Sequence, residues 1–137
     1  MRDPHKLARR WFKQAQHDGR VAQRHVREGD YSDACFMAEQ TAQKALKAYL
    51  YGQGARSLPE HSVAKLAEQA QQHDATFRAL IALGNVLDQY YIPTRYPDAI
   101  ADPAIPFETY TQTQAEEAIR LAEQILTTVQ QQLGSPS

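Results

Sequence analysis

The sequence predicts an all-α protein: a five-helix antiparallel up-and-down bundle forming a single domain. Three observations predict it. Ala, Gln, Leu, Glu, Arg and Lys dominate, and these are good helix formers. Val, Ile and Thr are sparse, and no run alternates apolar and polar residues long enough for a strand. Apolar residues recur instead at helical steps along most of the chain. The 137 residues match about one domain, long enough for one real core.

Helix one is expected from Pro4 to Arg27. Pro suits a first-turn position and Asp3 suits the cap before it. Leu7, Ala8, Trp11, Ala15, Ala22 and Val26 form its apolar stripe, Asp18 falls on that stripe, and Gly29 ends the helix. Helix two follows Asp30 and runs to Tyr51. Ala34, Cys35, Ala38, Thr41, Ala42, Ala45, Leu46 and Tyr49 line one broad face whose small residues admit a close neighbour. Gly52 and Gly54 stop it.

Helix three is expected over 61–72, with Val63, Leu66, Ala67 and Ala70 inward. Asp74 is a candidate cap for helix four, which carries Phe77, Leu80, Ile81, Gly84, Leu87 and Tyr91 at helical spacing. Pro93 ends it by pushing Ile92 out of the helical region. Residues 93–108 hold four prolines and read as a long loop, a class that is often functional. Helix five opens at 109–113, where Thr111-x-x-Gln114 and Thr113-x-x-Glu116 both have capping-box spacing. Its stripe is Ala115, Ala118, Ile119, Ala122, Ile125, Leu126, Val129 and Leu133, and Gly134-Ser135-Pro136-Ser137 reads as a frayed tail. The core spans residues 5–133, with no internal repeat and no second domain.

Charge and chemistry narrow the function. The net charge of −1 argues against a generic nucleic-acid binder but leaves a local basic patch open. The single cysteine, Cys35, excludes a disulfide framework and fits a reducing compartment. No apolar run approaches the length of a membrane span, and the first residues lack the apolar stretch of a signal peptide. A cytoplasmic location is expected. The histidines at 5, 17, 25, 61 and 73 provide no i,i+4 metal pair. Gly52-Gln53-Gly54 is not followed by the Lys-Ser/Thr of a phosphate loop, and no Gly-x-Ser-x-Gly elbow exists. No cofactor and no metal are expected. Cys35, on an apolar helix face, reads as a packed thiol.

Tyr90-Tyr91-Ile92-Pro93-Thr94-Arg95-Tyr96-Pro97-Asp98 is the candidate binding feature. It sets one arginine among three tyrosines at a helix exit. Arginine and tyrosine both favour recognition sites, and a guanidinium beside rings suits an anion or a base. Arg95 has plainer alternatives: the open carbonyls of a helix C-terminus, or Asp98. Asp18 is either solvated or paired with Arg95, Lys44 or Lys47, since burying a lone carboxylate is costly. Lys44 and Lys47, three apart on helix two, either form a solvated face or join Arg95 in a small basic pocket.

Four segments stand out together: Ala8-x-x-Trp11 with Ala15-x-x-Asp18; the run from Tyr31 through Ala34-Cys35-Phe36, Ala38-Glu39-Gln40 and Lys44 to Lys47-Ala48; His61-Ser62-Val63; and Tyr91 with Thr94-Arg95-Tyr96-Pro97-Asp98. In this order and spacing they resemble the HEPN family (higher eukaryotes and prokaryotes nucleotide-binding domain). The resemblance implies a helical bundle that commonly forms a homodimer. It also implies pairing with a separately encoded minimal nucleotidyltransferase, including toxin–antitoxin pairs, and a role in holding a nucleotide or substrate. The candidate ligand-binding residues for that role are Asp18, Lys44, Lys47, Tyr91, Arg95 and Tyr96. Arg95 would meet phosphate, the tyrosines would stack a base, and Asp18 would orient a cation.

Other members of that family are metal-independent ribonucleases with an Arg-x(4–6)-His motif. Here Ile100, Ala101 and Asp102 stand where the histidine would follow Arg95, so the resemblance favours binding over RNA cleavage. Arg20 to His25 and Arg56 to His61 have the spacing, but at places that do not match the family's motif. A third alternative is a purely structural interaction module, in which the Arg–Tyr segment only stops a helix.

Overall fold

The computed structural model describes residues 3–134, so the tail at 135–137 lies outside the described residues. The regular elements among them are all helical: α1 (Pro4–Glu28), α2 (Tyr31–Gly52), α3 (Val63–Gln71), α4 (Leu80–Leu87), α5 (Pro106–Thr109) and α6 (Gln112–Leu133). Three short 3-10 segments, Ala75–Ala79, Asp88–Tyr90 and Pro97–Ala99, join them.

The caps of α1 form where the sequence places them. The Asp3 carboxylate accepts from the backbone N–H of His5 at 2.9 Å and of Lys6 at 3.4 Å. Gly29 closes α1 in the left-handed conformation at φ 81°, where a Cβ would be strained. Asp30 precedes α2 but makes no side-chain cap bond. The Thr111–Gln114 capping box of α6 is complete, with Gln114 N to Thr111 Oγ1 at 3.1 Å and Thr111 N to Gln114 Oε1 at 2.9 Å.

α2 is the central element, with most of its residues buried among α1, α3, α5 and α6. Alanines at 34, 38, 42, 45 and 48 are fully buried and let the α1 and α6 backbones approach. Phe77, Leu46, Leu66, Leu87 and Ile125 fill the remaining space, and each such side chain contributes about 1.5–3 kcal/mol of burial. Phe77 packs its ring on Tyr49 at 4.3 Å between centroids.

Four expectations are corrected. Six α-helices are present among the described residues, not five. The proline segment 93–108 is not structureless: it holds the 3-10 turn Pro97–Ala99 and the single-turn helix α5. Proline is suited to a first helical position, and the Thr109 hydroxyl donates to Ile105 O at 2.6 Å to close that turn. Helix three begins at Val63 because Ser62 is its N-cap and accepts from Lys65 N at 3.1 Å. His61 is therefore outside the helix, with its ring available. Asp74 does cap the fourth element, but the turn it caps is 3-10, and α-helix begins only at Leu80.

Candidate functional site

Two backbone contacts position the site. Gly84 of α4 lies directly against the first turn of α3: a Cβ at 84 would stand 2.5 Å from Ala64 N and 2.7 Å from Ala64 Cα. One turn further on, Asp88 reaches across to that helix start. Its carboxylate accepts from Ser62 Oγ at 2.6 Å, from Val63 N at 2.5 Å and from Ala64 N at 3.3 Å. A carboxylate on the open N–H groups of a helix start is favourable in both charge and hydrogen bonding. The lock fixes the segment before α3 against the segment after α4. His61 and Tyr91 thereby meet as stacked rings, 5.1 Å between centroids and 17° between planes.

The chain leaves α4 through Asp88–Tyr90 and then turns. The Thr94 hydroxyl donates to Tyr90 O at 2.7 Å. Arg95 donates to Tyr91 O through Nε at 2.9 Å and through Nη2 at 2.6 Å. These two side chains satisfy carbonyls that the ending helix leaves open. The Arg95 guanidinium also lies 4.2 Å from the Phe36 ring centroid and 5.0 Å from those of Tyr91 and Tyr96. Three rings and one carbonyl thus fix its plane. Arg95 stays partly exposed, Tyr96 is 51% exposed, and Nη1 has no acceptor among the described residues. Asp98, the other expected partner of Arg95, forms no ion pair with it.

Behind this cluster lies a buried carboxyl. Glu39 of α2 is fully buried and accepts from Gln40 Nε2 at 2.8 Å and Gln43 Nε2 at 2.9 Å. Gln43 also donates to His61 O at 3.1 Å, and its Oε1 is 3.4 Å from His61 Nδ1. Burial pushes the Glu39 carboxyl up from 4.5 to about 7; the two amides oppose the rise, the Asp88 charge adds to it, and Arg95 opposes it. A carboxyl whose folded pKa is raised supports folding most fully below pH 4.5, and that support is lost as pH rises through about 7. Between pH 5 and pH 8 the wild type is expected to lose up to about 3 kcal/mol relative to Glu39→Gln. Urea denaturation of both proteins at the two pH values measures this, and parallel pH profiles would contradict it.

The remaining sequence candidates form a separate group on α1 and α2. Asp18 is 3% exposed and its Oδ2 accepts from Lys44 Nζ at 2.6 Å, while Gln14 Nε2 donates to Oδ1 at 3.0 Å. Of the alternatives for Asp18, the structure forms the pair with Lys44. Lys47 is buried too, with Nζ 5.8 Å from the Trp11 ring centroid. Burial lowers its ammonium below the ordinary lysine value, with Glu39 and Glu60 opposing. The solvated lysine face is therefore corrected: one lysine is ion-paired and the other is buried. Among the described residues no hydrogen bond, ion pair or ring contact joins Asp18, Lys44 or Lys47 to Arg95. Glu39 stands between the two groups and is the charge that both Lys47 and Arg95 feel.

Elsewhere, burial pushes the Cys35 thiol up to about 12, which keeps it protonated and unreactive. His25, Asp30 and Asp33 bring ligand-type atoms within 4.8 Å of one another at the α1–α2 turn, and His25 Nδ1 is 3.9 Å from Asp30 Oδ2. No helix among the described residues is long and apolar enough to cross a membrane.

The profile of the HEPN domain family matches residues 8–132, nearly the whole chain. The chain belongs to the HEPN domain family. Solved structures agree with that assignment. TT1696 from Thermus thermophilus is 40% identical over 90% of this HEPN chain and 96% of its own, with a TM-score of 0.85. ST0689, an archaeal HEPN homologue, is 34% identical over 93% and 98%, with a TM-score of 0.76. A HEPN domain protein from Thermotoga maritima, tm0613, is 25% identical over 90% and 97%, with a TM-score of 0.70. The comparison with curated proteins gave no significant match.

Glu39, Gln43, His61, Phe36 and Asp88 are not among the ligand-binding residues expected from the sequence, although Phe36, Glu39 and His61 lie in the segments that carry the family resemblance. Glu39, Gln43 and Lys47 lie at steps of four along α2, a polar line on an otherwise apolar helix, but spacing alone does not show that this line is buried.

Proposed function

We propose that this HEPN chain is a nucleotide- or substrate-binding subunit that pairs with a minimal nucleotidyltransferase in a toxin–antitoxin type system in the cytoplasm. The observation that carries the reading is the state of Arg95. Its guanidinium is held in one plane by Tyr91 O and the rings of Phe36, Tyr91 and Tyr96, yet its Nη1 is left without an acceptor among the described residues. A guanidinium needed only to stop a helix would not require ring support on several sides. A fixed, partly exposed guanidinium beside accessible tyrosine and histidine rings suits a phosphate and the base attached to it. Exposed Ile92, Ile105 and Phe107 on the segment after α4 give a protein partner or a second copy apolar anchors. Titration with a nucleoside triphosphate tests the reading: saturable binding is expected, and its absence would remove the nucleotide role.

One observation favours a second reading, a metal-independent ribonuclease. No histidine follows Arg95 at the family's spacing, but His61 stacks on the ring that Arg95 faces, so an exposed imidazole sits near the arginine in space. Cleavage of RNA by the pure protein in EDTA, lost in both His61→Ala and Arg95→Ala, would establish it. Intact RNA after incubation would dismiss it.

A further inference from the structure

α1 carries a second charged surface. Lys6, Arg10, Lys13, Arg20, Arg24 and Arg27, with His17 between the two halves, follow alternating steps of four and three residues. Those steps keep side chains in one line along a helix. All seven are exposed, and the line runs about 32 Å at the helical rise. None of the six cations forms an ion pair with a described residue.

Little in the helix offsets this charge. Residues 4–28 hold seven Lys and Arg against two acids, a balance of +5 in a chain whose net charge is −1. One of the two acids, Asp18, is buried under Lys44, and the other, Glu28, is the last residue. On the adjoining helix, Glu123 accepts from Gln23 rather than from an arginine. The charge is therefore segregated: α1 is basic and the remainder of the chain is acidic.

We propose that the outward face of α1 holds the phosphate backbone of a single-stranded nucleic acid. Each cation meets a phosphate oxygen, and no base edge is read. A protein partner is a poorer fit, because interfaces are anchored by apolar and aromatic residues and this line has none. The apolar residues of α1 are turned inward: Ala8, Phe12, Ala15 and Ala22 are buried. A membrane helix needs the exposed apolar face that is likewise missing. A second copy docking face to face would set cation against cation. A single file of cations about 5 Å apart suits one flexible phosphodiester strand, whereas a duplex strand spirals away from a straight line.

This inference does not rest on Arg95, so a protein that binds no nucleoside triphosphate still binds the strand. The test is fluorescence anisotropy with the full chain and a labelled oligouridylate across a salt series. Six phosphate contacts predict that affinity falls about 300-fold between 50 and 200 mM salt. Arg20→Gln/Arg24→Gln removes two exposed cations, so the fall should shrink to about 50-fold while the circular dichroism and Tm stay unchanged. Three results would overturn the proposal: no saturable binding, an unchanged salt response in the double variant, or equal competition by polyglutamate or anionic vesicles.

Discussion

Gly84→Ala is expected to destabilise the chain by about 3 kcal/mol or more, a fall in Tm on the order of 10 °C. The added methyl would sit 2.5 Å from Ala64 N, 2.7 Å from Ala64 Cα and 2.9 Å from Val63 C. All three are backbone atoms, so no side chain can rotate away. α3 and α4 would have to separate, and Asp88, one turn beyond Gly84, would be drawn off the three groups it caps. The stacking of His61 on Tyr91 depends on that lock, so the substitution should also disturb the Arg95 cluster. Gly19→Ala is the control. Its methyl meets Thr41 and Leu126 side chains at 3.6–3.8 Å, which is ordinary contact, in the middle of α1. Helix propensity then predicts a neutral or slightly stabilising change of up to about 1 kcal/mol. Thermal denaturation of the two variants separates a specific backbone clash from a general intolerance of alanine. Equal Tm values would contradict it.

Lys44→Met is expected to cost about 3–5 kcal/mol. It leaves the Asp18 carboxylate, 3% exposed, with only the Gln14 amide as a partner. The double variant Asp18→Leu/Lys44→Met removes both charges and fills the site with apolar volume. It should recover to within about 1 kcal/mol of wild type, because replacing a buried ion pair by apolar groups is often neutral. The full cycle therefore measures whether the pair serves the fold or something more. If the double variant is stable and binds nucleotide as wild type does, Asp18 and Lys44 specify how α1 docks on α2. If it is stable and binding is lost, they belong to the ligand site despite their separation from Arg95. Urea denaturation and the nucleotide titration together give both readouts.

The helices were legible because their signals are local. Asp3-Pro4, Gly29 and Thr111-x-x-Gln114 are caps that act within one turn, and the structure forms each of them. The small residues of α2 announced a closely packed helix face, though not that α2 is the central element. What the sequence left hidden depends on pairing between segments. Gly84 fell on an apolar stripe, and nothing local says that the Ala64 backbone lies against it. Asp88 reads as an exposed acid until Ser62 and Val63 are placed beside it. Glu39 reads as a solvated helix residue, since a carboxyl in a core is rare without partners and Gln43 and Gln40 are not recognisable as such from spacing alone. His61 precedes a helix, and its stack on Tyr91 follows from a lock between Ser62 and Asp88, 26 residues apart. The basic line of α1 was hidden in a different way: it is fully visible at steps of four and three, but a net charge of −1 averages it against acids on other elements.

The central claim is that the rings and the carbonyl hold Arg95 in place to meet an anionic ligand, not merely to end a helix. Calorimetric titration of Arg95→Lys with a nucleoside triphosphate, beside the wild type, tests it most directly. Lysine keeps the charge but loses the planar fork and the paired bonds to Tyr91 O. The account predicts saturable binding by the wild type and at least about tenfold weaker binding by the variant, corresponding to about 1.4 kcal/mol or more of lost charge-assisted hydrogen bonding. Wild-type affinity in Arg95→Lys, or no binding by either protein, would contradict the claim and leave Arg95 as a helix cap alone.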